Sequence, residues 1–214
     1  AFTAPVVGWG RRFLAASGRP GQTLLFAADA DTGNVLWSRE LGLGATSAPL
    51  GVGQRVYLGG ERDGQPLLLA FNAKGDPVWE RRLGTGGGPL SLLPTPGGVV
   101  VSGRSGAACR VESSGKMAWV LGAAGAELRR PLAPKLMRRI LFIPGETVRA
   151  VELSSGAVLA EVKMGSGLQD LAVDTRLGLY LLNDEGGVRA FRVASHLAVV
   201  GGPRRSRPRR ADAT

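Results

Sequence analysis

One sequence pattern returns five times along the chain, and this repeat constrains the fold more than any other feature. The first copy, FAADADTGNVLWSREL at 26–41, has small and apolar residues, an acidic residue, a turn that ends in glycine, and then tryptophan. The last copy has His196 at the glycine place, while Ala160 and Val200 stand at the tryptophan place of the fourth and fifth copies. The aromatic place falls at positions 37, 79, 119, 160 and 200 of copies that span 26–41, 67–83, 108–122, 148–164 and 188–202. Such regular steps indicate one structural unit used repeatedly.

The segment before each copy repeats as well, so each unit contains three clear short strands, with a fourth left open, and no helical periodicity. One small sheet cannot bury both of its faces, whereas units of about 40 residues with four strands pack face to face as propeller blades. We therefore predict an all-β fold, a β-propeller of about five repeats. The predicted blades are 1–43, 44–84, 85–124, 125–165 and 166–202, and a disordered Arg-rich tail is predicted at 203–214.

The stretch Asp-Ala-Asp-Thr-Gly at 29–33 poses a choice between a calcium loop, a catalytic carboxylate pair and a hairpin turn. A calcium loop needs several convergent oxygen ligands at fixed spacing, and only the first copy approaches such a set. The copies share a turn followed by a large apolar side chain, which favours a hairpin. We expect the tryptophans to act as wedges between adjacent blades. The residues predicted to be structural blade anchors are Asp29, Gly33, Trp37, Gly75, Trp79, Gly115, Trp119 and Gly156.

The first copy resembles the PQQ-like repeat, whose blade motif reads small-apolar-Asp-x-x-Thr-Gly-x-x-apolar-Trp, and the resemblance covers about residues 4–202. The resemblance implies a propeller of PQQ-like blades. Members of the family usually have about seven or eight blades. The five repeats of this chain are therefore expected to form a partial propeller, or one that is completed by other blades.

Quinone-dependent dehydrogenases of this family are expected to carry adjacent cysteines beside the quinone and a carboxylate base near calcium. This chain has one cysteine, Cys109, which we expect to be a buried small hydrophobe, and it has no acidic cluster outside the repeating turns. The resemblance therefore implies the scaffold without the active site: no enzyme, no catalytic residue, no cofactor and no metal. The alternative is a fragment of a PQQ-dependent quinoprotein dehydrogenase whose cofactor residues lie on other blades.

Family members without an active site are similar to the accessory lipoprotein of outer-membrane barrel assembly. That similarity implies a non-enzymatic protein-interaction scaffold in a larger cell-envelope assembly, with a periplasmic or envelope-associated location. Its partners would be other protein subunits, because an incomplete propeller leaves an open edge that a partner should cover. Arginine is enriched at interface hot spots, and the candidate partner contacts are Arg81, Arg82, Arg129 and Arg130.

The net charge of +10 is concentrated in part at the C-terminal tail, where five arginines and Asp212 contribute +4. Such a tail indicates weak contact with anionic surfaces. No aromatic residue is interleaved with these arginines for base stacking, so we expect no specific nucleic-acid partner.

Overall fold

The chain folds as an all-β protein. The computed structural model describes residues 5–19, 21–44, 46–84, 90–164, 167–174, 176, 178–193 and 199–200. These residues form twenty strands and no helix, so no helix in this part of the chain could span a membrane. The predicted tail at 203–214 and His196 lie outside the described residues.

The strands form five antiparallel four-stranded sheets, each made of strands that are consecutive in the chain, and we call these sheets blades 1 to 5. Blade 1 contains β1 (Val7–Trp9), β2 (Arg12–Arg19), β3 (Gln22–Asp29) and β4 (Val35–Leu41). Blade 2 contains β5 (Leu50–Val52), β6 (Arg55–Arg62), β7 (Gln65–Asn72) and β8 (Pro77–Arg82). Blade 3 contains β9 (Ser91–Thr95), β10 (Gly98–Ser102), β11 (Ala108–Glu112) and β12 (Met117–Leu121). Blade 4 contains β13 (Lys135–Met137), β14 (Ile140–Ile143), β15 (Thr147–Glu152) and β16 (Val158–Lys163). Blade 5 contains β17 (Leu168–Val173), β18 (Gly178–Asn183), β19 (Val188–Val193) and β20 (Val199–Val200).

The first strands of neighbouring blades lie side by side, since β1 contacts β5, β5 contacts β9 and β13 contacts β17. The first strand is therefore the inner strand of each blade, and the fourth strand lies at its outer edge. This arrangement is that of a β-propeller, which confirms the predicted fold class and shows that each unit has the fourth strand that the sequence left open.

Because successive strands run antiparallel, the connections alternate between two sides of the molecule. The turns that join the third and fourth strands lie on what we call the hairpin side, for example residues 30–34 and 73–76. The connections from one blade to the next lie on the opposite side, which we call the crossing side. The longest of these connections is residues 122–134, between Leu121 and Lys135.

In the part of the chain that the structure describes, the hydrophobic core forms four clusters, one between each pair of neighbouring blades. Between blades 1 and 2, Leu14 and Leu25 belong to the same buried cluster as Val56, Leu58 and Phe71. The other three clusters join Tyr57 and Leu68 with Val99 and Val111, Val100 and Trp119 with Leu141 and Val151, and Phe142 and Val148 with Leu179 and Phe191. Each blade is thus stabilised by burial of its apolar faces against its neighbours, as the repeat period predicts.

Candidate interaction surfaces

The tryptophans of the outer strands reach from one blade to the turn of the next blade. The Trp37 indole Nε1 donates to the Ala73 carbonyl oxygen at 3.2 Å. Trp79 Nε1 donates to Ser113 O at 3.0 Å, and Trp119 Nε1 donates to Leu153 O at 2.9 Å. In all three junctions the acceptor is the residue that directly follows the end of the third strand of the next blade.

A β-bulge in each of blades 1 to 4 directs these side chains. The register between the third and fourth strands shifts between Ala27 and Ala28 in blade 1, and at the corresponding place in blades 2, 3 and 4. The residue that pairs just before the shift is Trp37, Trp79, Trp119 or Ala160. Because a bulge increases the local twist, it can redirect a side chain at the blade edge. The bulge therefore belongs to the repeat as much as the tryptophan does.

The turn glycine leaves room for the tryptophan ring. A Cβ atom built at Gly75 would lie 2.5 Å from the Trp37 ring, and Gly75 has a φ of +81°, which other residues rarely adopt. The corresponding distances are 3.0 Å between Gly115 and Trp79, and 2.6 Å between Gly156 and Trp119. Any larger residue at these places would therefore push the indole out of its contact.

The first turn is a hairpin in which the Asp29 side chain forms hydrogen bonds with the turn backbone. One Asp29 carboxylate oxygen accepts hydrogen bonds from the backbone nitrogens of Asp31 and Thr32 and from the Thr32 hydroxyl. These hydrogen bonds, those of Thr32 foremost, lower the pKa of Asp29 below its usual value. Asp31 is held by Arg11, which contacts its carboxylate. Among the described residues, no group of three or more His, Cys, Asp or Glu side chains is placed to hold a metal ion.

Gly33 differs from its three counterparts although its φ of +74° is similar. It is exposed, and a Cβ atom at this glycine would meet no other atom of the described residues within 4 Å. Gly75, Gly115 and Gly156 are buried. The turn of blade 1 has five residues, 30–34, as the blade 4 turn has at 153–157, but no tryptophan of the described residues lies against its glycine.

The four predicted partner-contact arginines lie in different surroundings. Arg81 Nε donates to Gly115 O at 2.9 Å and so connects blade 2 to the blade 3 turn on the hairpin side. Arg82 donates to the Gln65 side chain at 3.1 Å within its own blade. Arg129 and Arg130 are both exposed on the crossing side, and Arg130 donates to the Gln169 carbonyl oxygen of blade 5.

Arg129 and Arg130 line a cleft of about 280 Å³ between blades 4 and 5. The cleft also contains both acidic and apolar side chains, namely Glu127, Glu146, Asp184, Leu128, Met164 and Leu168. Arg129 makes no hydrogen bond or ion pair with the described residues. A mixed-charge cleft with one uncommitted arginine is a surface on which a partner protein could form charge-assisted hydrogen bonds.

Arg149 fixes the segment that carries these arginines, although it is not among the contact residues predicted from the sequence. It is 6% exposed, and its guanidinium donates to the carbonyl oxygens of Gly106 and, at 2.7 Å, Gly122. Burial lowers the pKa of Arg149. The sequence has no signal that distinguishes it, because the same Val-Arg-Ala pattern occurs at 188–190, where Arg189 is not buried.

Further contacts hold residues 122–134 in place. The Glu146 carboxylate accepts from the Ala126 backbone nitrogen at 2.8 Å, and Arg104 of blade 3 pairs with Glu127. Backbone hydrogen bonds join Ala124 N to Ser105 O and Leu128 N to Arg104 O. This connection is therefore a fixed platform and not a loose loop.

The one thiol of the chain is unsuited to chemistry. Cys109 is fully buried in the cluster between blades 2 and 3, and burial raises its pKa to about 12. A thiol that stays protonated is a poor nucleophile. Cys109 therefore acts as the buried small hydrophobe that its strand predicts.

The chain is similar to one known family and to several solved structures. The family model described as outer membrane protein assembly factor BamB matches residues 1–133, more than half of the chain. No curated protein sequence matches the chain.

Several solved β-propellers share the fold. BamB from Moraxella catarrhalis has a TM-score of 0.68 and 17% identity, covering 90% of this chain and 58% of that protein. Hsv2 from Kluyvelomyces marxianus has a TM-score of 0.61 and 11% identity, covering 92% and 60%. A chain of the mitotic checkpoint complex has a TM-score of 0.68 and 12% identity, covering 89% and 62%.

The chain thus spans about 58–62% of the length of these three structures. The family match confirms the resemblance to PQQ-like repeat propellers, and fold and family together fit a propeller scaffold. The chain belongs to the family of the outer membrane protein assembly factor BamB.

Proposed function

We propose that the chain is a non-enzymatic protein-interaction scaffold and a subunit of a larger cell-envelope assembly, with a periplasmic or envelope-associated location. Its family is described as an outer membrane protein assembly factor, which supports a role in that compartment. The structural observation that carries the proposal is the fixed crossing segment 122–134, which leaves Arg129 and Arg130 exposed beside the cleft between blades 4 and 5.

A rigid platform favours partner binding because little conformational entropy is lost when the complex forms. The buried Arg149 and the Glu146 carboxylate hold the segment before any partner arrives. Arg129 is then free to form a bidentate contact with a partner carboxylate, and Glu127 or Glu146 can accept from a partner lysine or arginine. The partners are other protein subunits with charges of both signs.

Site-specific photocrosslinking tests this role. A benzoylphenylalanine in place of Gln169, at the mouth of the cleft, is crosslinked in intact cells of the native host, and the captured subunits are identified by mass spectrometry. We expect defined envelope proteins to be captured, and we expect the double variant Arg129→Ala/Arg130→Ala to lose them. A matched control is Arg138→Ala/Arg139→Ala, which removes an equal charge from an exposed pair in the β13–β14 turn on the hairpin side.

Two results would count against the proposal. If the Arg129→Ala/Arg130→Ala variant still captures the same subunits, these two arginines are not the partner contacts. A chain purified gently from its host with a bound quinone and no protein partner would instead favour the alternative, a fragment of a PQQ-dependent quinoprotein dehydrogenase.

A further inference from the structure

We propose that the turns around the propeller axis on the hairpin side bind an extended acidic segment of a partner protein. The inference rests on the proposed scaffold function, since it names the chemistry of one partner, and it concerns the side opposite to Arg129 and Arg130. The segment lies across a set of arginines that we call the arginine arc. Its members are Arg11 and Arg12 of blade 1, Arg55 of blade 2, Arg138 and Arg139 of blade 4, and Arg176 of blade 5.

The arginine arc lies in the turns that join the first and second strands of each blade, which we call the inner turns. These turns, with the strand residue on either side, contain six arginines and one acidic residue, Asp174. The turns between the second and third strands, on the crossing side, contain three arginines and four acidic residues over the same span. On the hairpin side, the turns between the third and fourth strands of blades 1 to 4, which we call the outer turns, contain two lysines and five acidic residues. An excess of positive charge therefore lies near the axis on one side of the molecule, where it attracts negative charge.

Hydrogen bonds hold the inner turns of blades 1 to 4 in place. The carbonyl oxygens of Arg11, Gly97 and Arg139 each accept from the first backbone nitrogen of the outer turn of the same blade, at 2.9 Å in each case. The inner turn of blade 2 is held by Trp9, whose indole Nε1 donates to the Gly53 carbonyl oxygen at 3.1 Å. These turns are therefore fixed before a partner arrives, which limits the entropy lost on binding.

Three arginines of the arc are available to a partner. The side chains of Arg55, Arg138 and Arg139 form no hydrogen bond or ion pair with the described residues. Arg138 and Arg139 are exposed, and Arg55 is half-buried. Arg11 and Arg12 are already engaged, the first with an outer-turn carboxylate and the second with a carbonyl oxygen of blade 2. The available arginines thus lie on blades 2 and 4.

The acidic residue of the inner turns does not neutralise these arginines. The Asp174 carboxylate accepts from the Gly178 backbone nitrogen at 2.7 Å and from the Tyr180 hydroxyl at 2.9 Å. Asp31, on the outer turn of blade 1, contacts Arg11. Carboxylates from a partner are therefore needed to pair with the three available guanidiniums.

The backbone at Arg138 is an independent indication that its side chain has a function. Arg138 has a φ of +57° and is the first residue of its inner turn, a place that Gly10 and Gly53 occupy in blades 1 and 2 with φ of +60° and +56°. A residue with a long side chain rarely adopts this conformation, and such strain clusters at functional sites. The turn itself would favour glycine, so the turn does not explain the arginine, whereas a ligand for its guanidinium does.

The spacing of the arginine arc defines the occupant. Neighbouring sheets pack about 10 Å apart and an extended chain rises about 3.3 Å per residue, so a carboxylate at about every third residue meets arginines of successive blades. Blade 3 has no arginine in its inner turn, but Arg110 donates to the Pro96 carbonyl oxygen of that turn at 2.9 Å. The aromatic ring beside these turns, Trp9, is covered by the Arg12 guanidinium at 5.1 Å, which leaves no platform for a stacked base. The occupant is thus an extended acidic polypeptide.

Binding of an acidic peptide to the full chain tests the site. The probe is a fluorescein-labelled peptide of about fifteen residues, with glutamate at every third position and glycine and serine between. Fluorescence anisotropy at about 50 mM salt should show saturable binding that is lost at about 500 mM salt. The same peptide with glutamine in place of glutamate should bind at least about tenfold more weakly, because it lacks the charges that pair with arginine.

Two matched protein variants locate the binding. Arg55→Gln/Arg138→Gly removes two charges from the arginine arc and should weaken peptide binding at least about tenfold. Its Tm should be unchanged or higher, because glycine relieves the positive φ at position 138. Lys163→Gln/Arg189→Gln removes the same charge from the crossing side and should bind the peptide as the unchanged chain does. A peptide with a central benzoylphenylalanine should crosslink to residues 10–12, 53–55 or 137–140.

This inference and the proposed contact in the cleft can fail separately. The two sides of the molecule are separated by the length of the strands, about 20 Å for the six residues of β15. The peptide reports the hairpin side, and the crosslink at position 169 reports the crossing side. The acidic segment therefore belongs to a partner other than the one in the cleft, and Arg138→Ala/Arg139→Ala remains a control for capture there.

The opposite results would overturn the inference. It fails if the peptide does not bind, or if the two variants bind it equally well, because binding would then follow net charge alone. It fails if the peptide crosslinks to the crossing side or to residues 203–214. It also fails if Arg55→Gln/Arg138→Gly keeps peptide binding but loses binding to phosphatidylglycerol vesicles, because the arginine arc would then contact a lipid surface.

Discussion

At the scale of single residues, the junction between blades depends on a pair: a tryptophan on one blade and a glycine on the next. The glycine is needed for two separate reasons, its positive φ and the lack of space for a Cβ atom. Both reasons apply at Gly75, and only the first applies at Gly33, where no described atom lies within 4 Å of the built Cβ. The chain therefore contains its own control for separating backbone strain from steric exclusion.

We predict that Gly75→Ala destabilises the protein more than Gly33→Ala does. Both substitutions place alanine at positive φ, which costs about 1–2 kcal/mol. Only Gly75→Ala also forces the Trp37 ring to move, which should add about 1–3 kcal/mol. Urea unfolding followed by circular dichroism measures the free energy of unfolding of both variants. An equal decrease in the two variants would contradict the prediction that the contact between Trp37 and Gly75 stabilises the protein.

At the scale of elements, hydrogen bonds from side chains that are not common to all repeats hold connections against strands. Arg149 on β15 and Arg189 on β19 occupy the same place in their blades, two residues before the paired Val151 and Phe191. Arg149 is buried and donates to two carbonyl oxygens, whereas Arg189 makes one long contact of 3.5 Å to Lys163 O. Arg149 reaches Gly122, the first residue of the long connection 122–134, and Gly106 in the turn between β10 and β11.

We predict that Arg149→Met lowers the free energy of unfolding by about 2–4 kcal/mol, because the carbonyls of Gly106 and Gly122 lose charge-assisted hydrogen bonds. Arg189→Met is the matched control and should change the free energy of unfolding by less than about 0.5 kcal/mol. Chemical denaturation of both variants gives the comparison. Hydrogen exchange should also show faster exchange of residues 122–134 in Arg149→Met only, and similar behaviour of the two variants would refute the fastening role.

At the scale of the whole molecule, five blades leave two terminal blades with one neighbour each. The outward face of blade 1 exposes Phe13, and that of blade 5 exposes Tyr180, Leu182 and Val188. Apolar faces of this kind are where a propeller is completed or bound by a partner. These exposed apolar faces support the proposal that the chain is an interaction scaffold.

The charge of the whole chain leads to a prediction for the Arg-rich tail, which lies outside the described residues. Removing residues 203–214 takes away +4 of the +10, namely five arginines and one aspartate. We expect the full chain to co-sediment with vesicles of phosphatidylglycerol and phosphatidylcholine at about 20 mM salt and to be released at about 500 mM salt, because salt screens these charges.

The truncated chain should bind these vesicles markedly less at low salt and keep the same Tm. Vesicles of phosphatidylcholine alone are the control for the anionic surface. If truncation leaves vesicle binding unchanged, the +6 of the remaining chain carries the anionic contact and the tail does not.

The sequence by itself determined the all-β class, the repeat period and the residue types at the blade junctions. These features are local, since strand propensity, turn glycines and the steps between tryptophans can be read without knowing which parts of the chain meet. Cys109 is of this kind, because a small apolar strand already predicts its burial.

Only the tertiary structure decided which blade receives each tryptophan, that Gly33 receives none, and that Arg149 is buried while Arg189 is not. Gly33 and Gly75 stand at the same place of the repeat, and so do Arg149 and Arg189, yet their surroundings differ. The physical reason is that burial and hydrogen bonding depend on the neighbouring blade and on the connection that crosses above it, and neither is encoded within a single repeat.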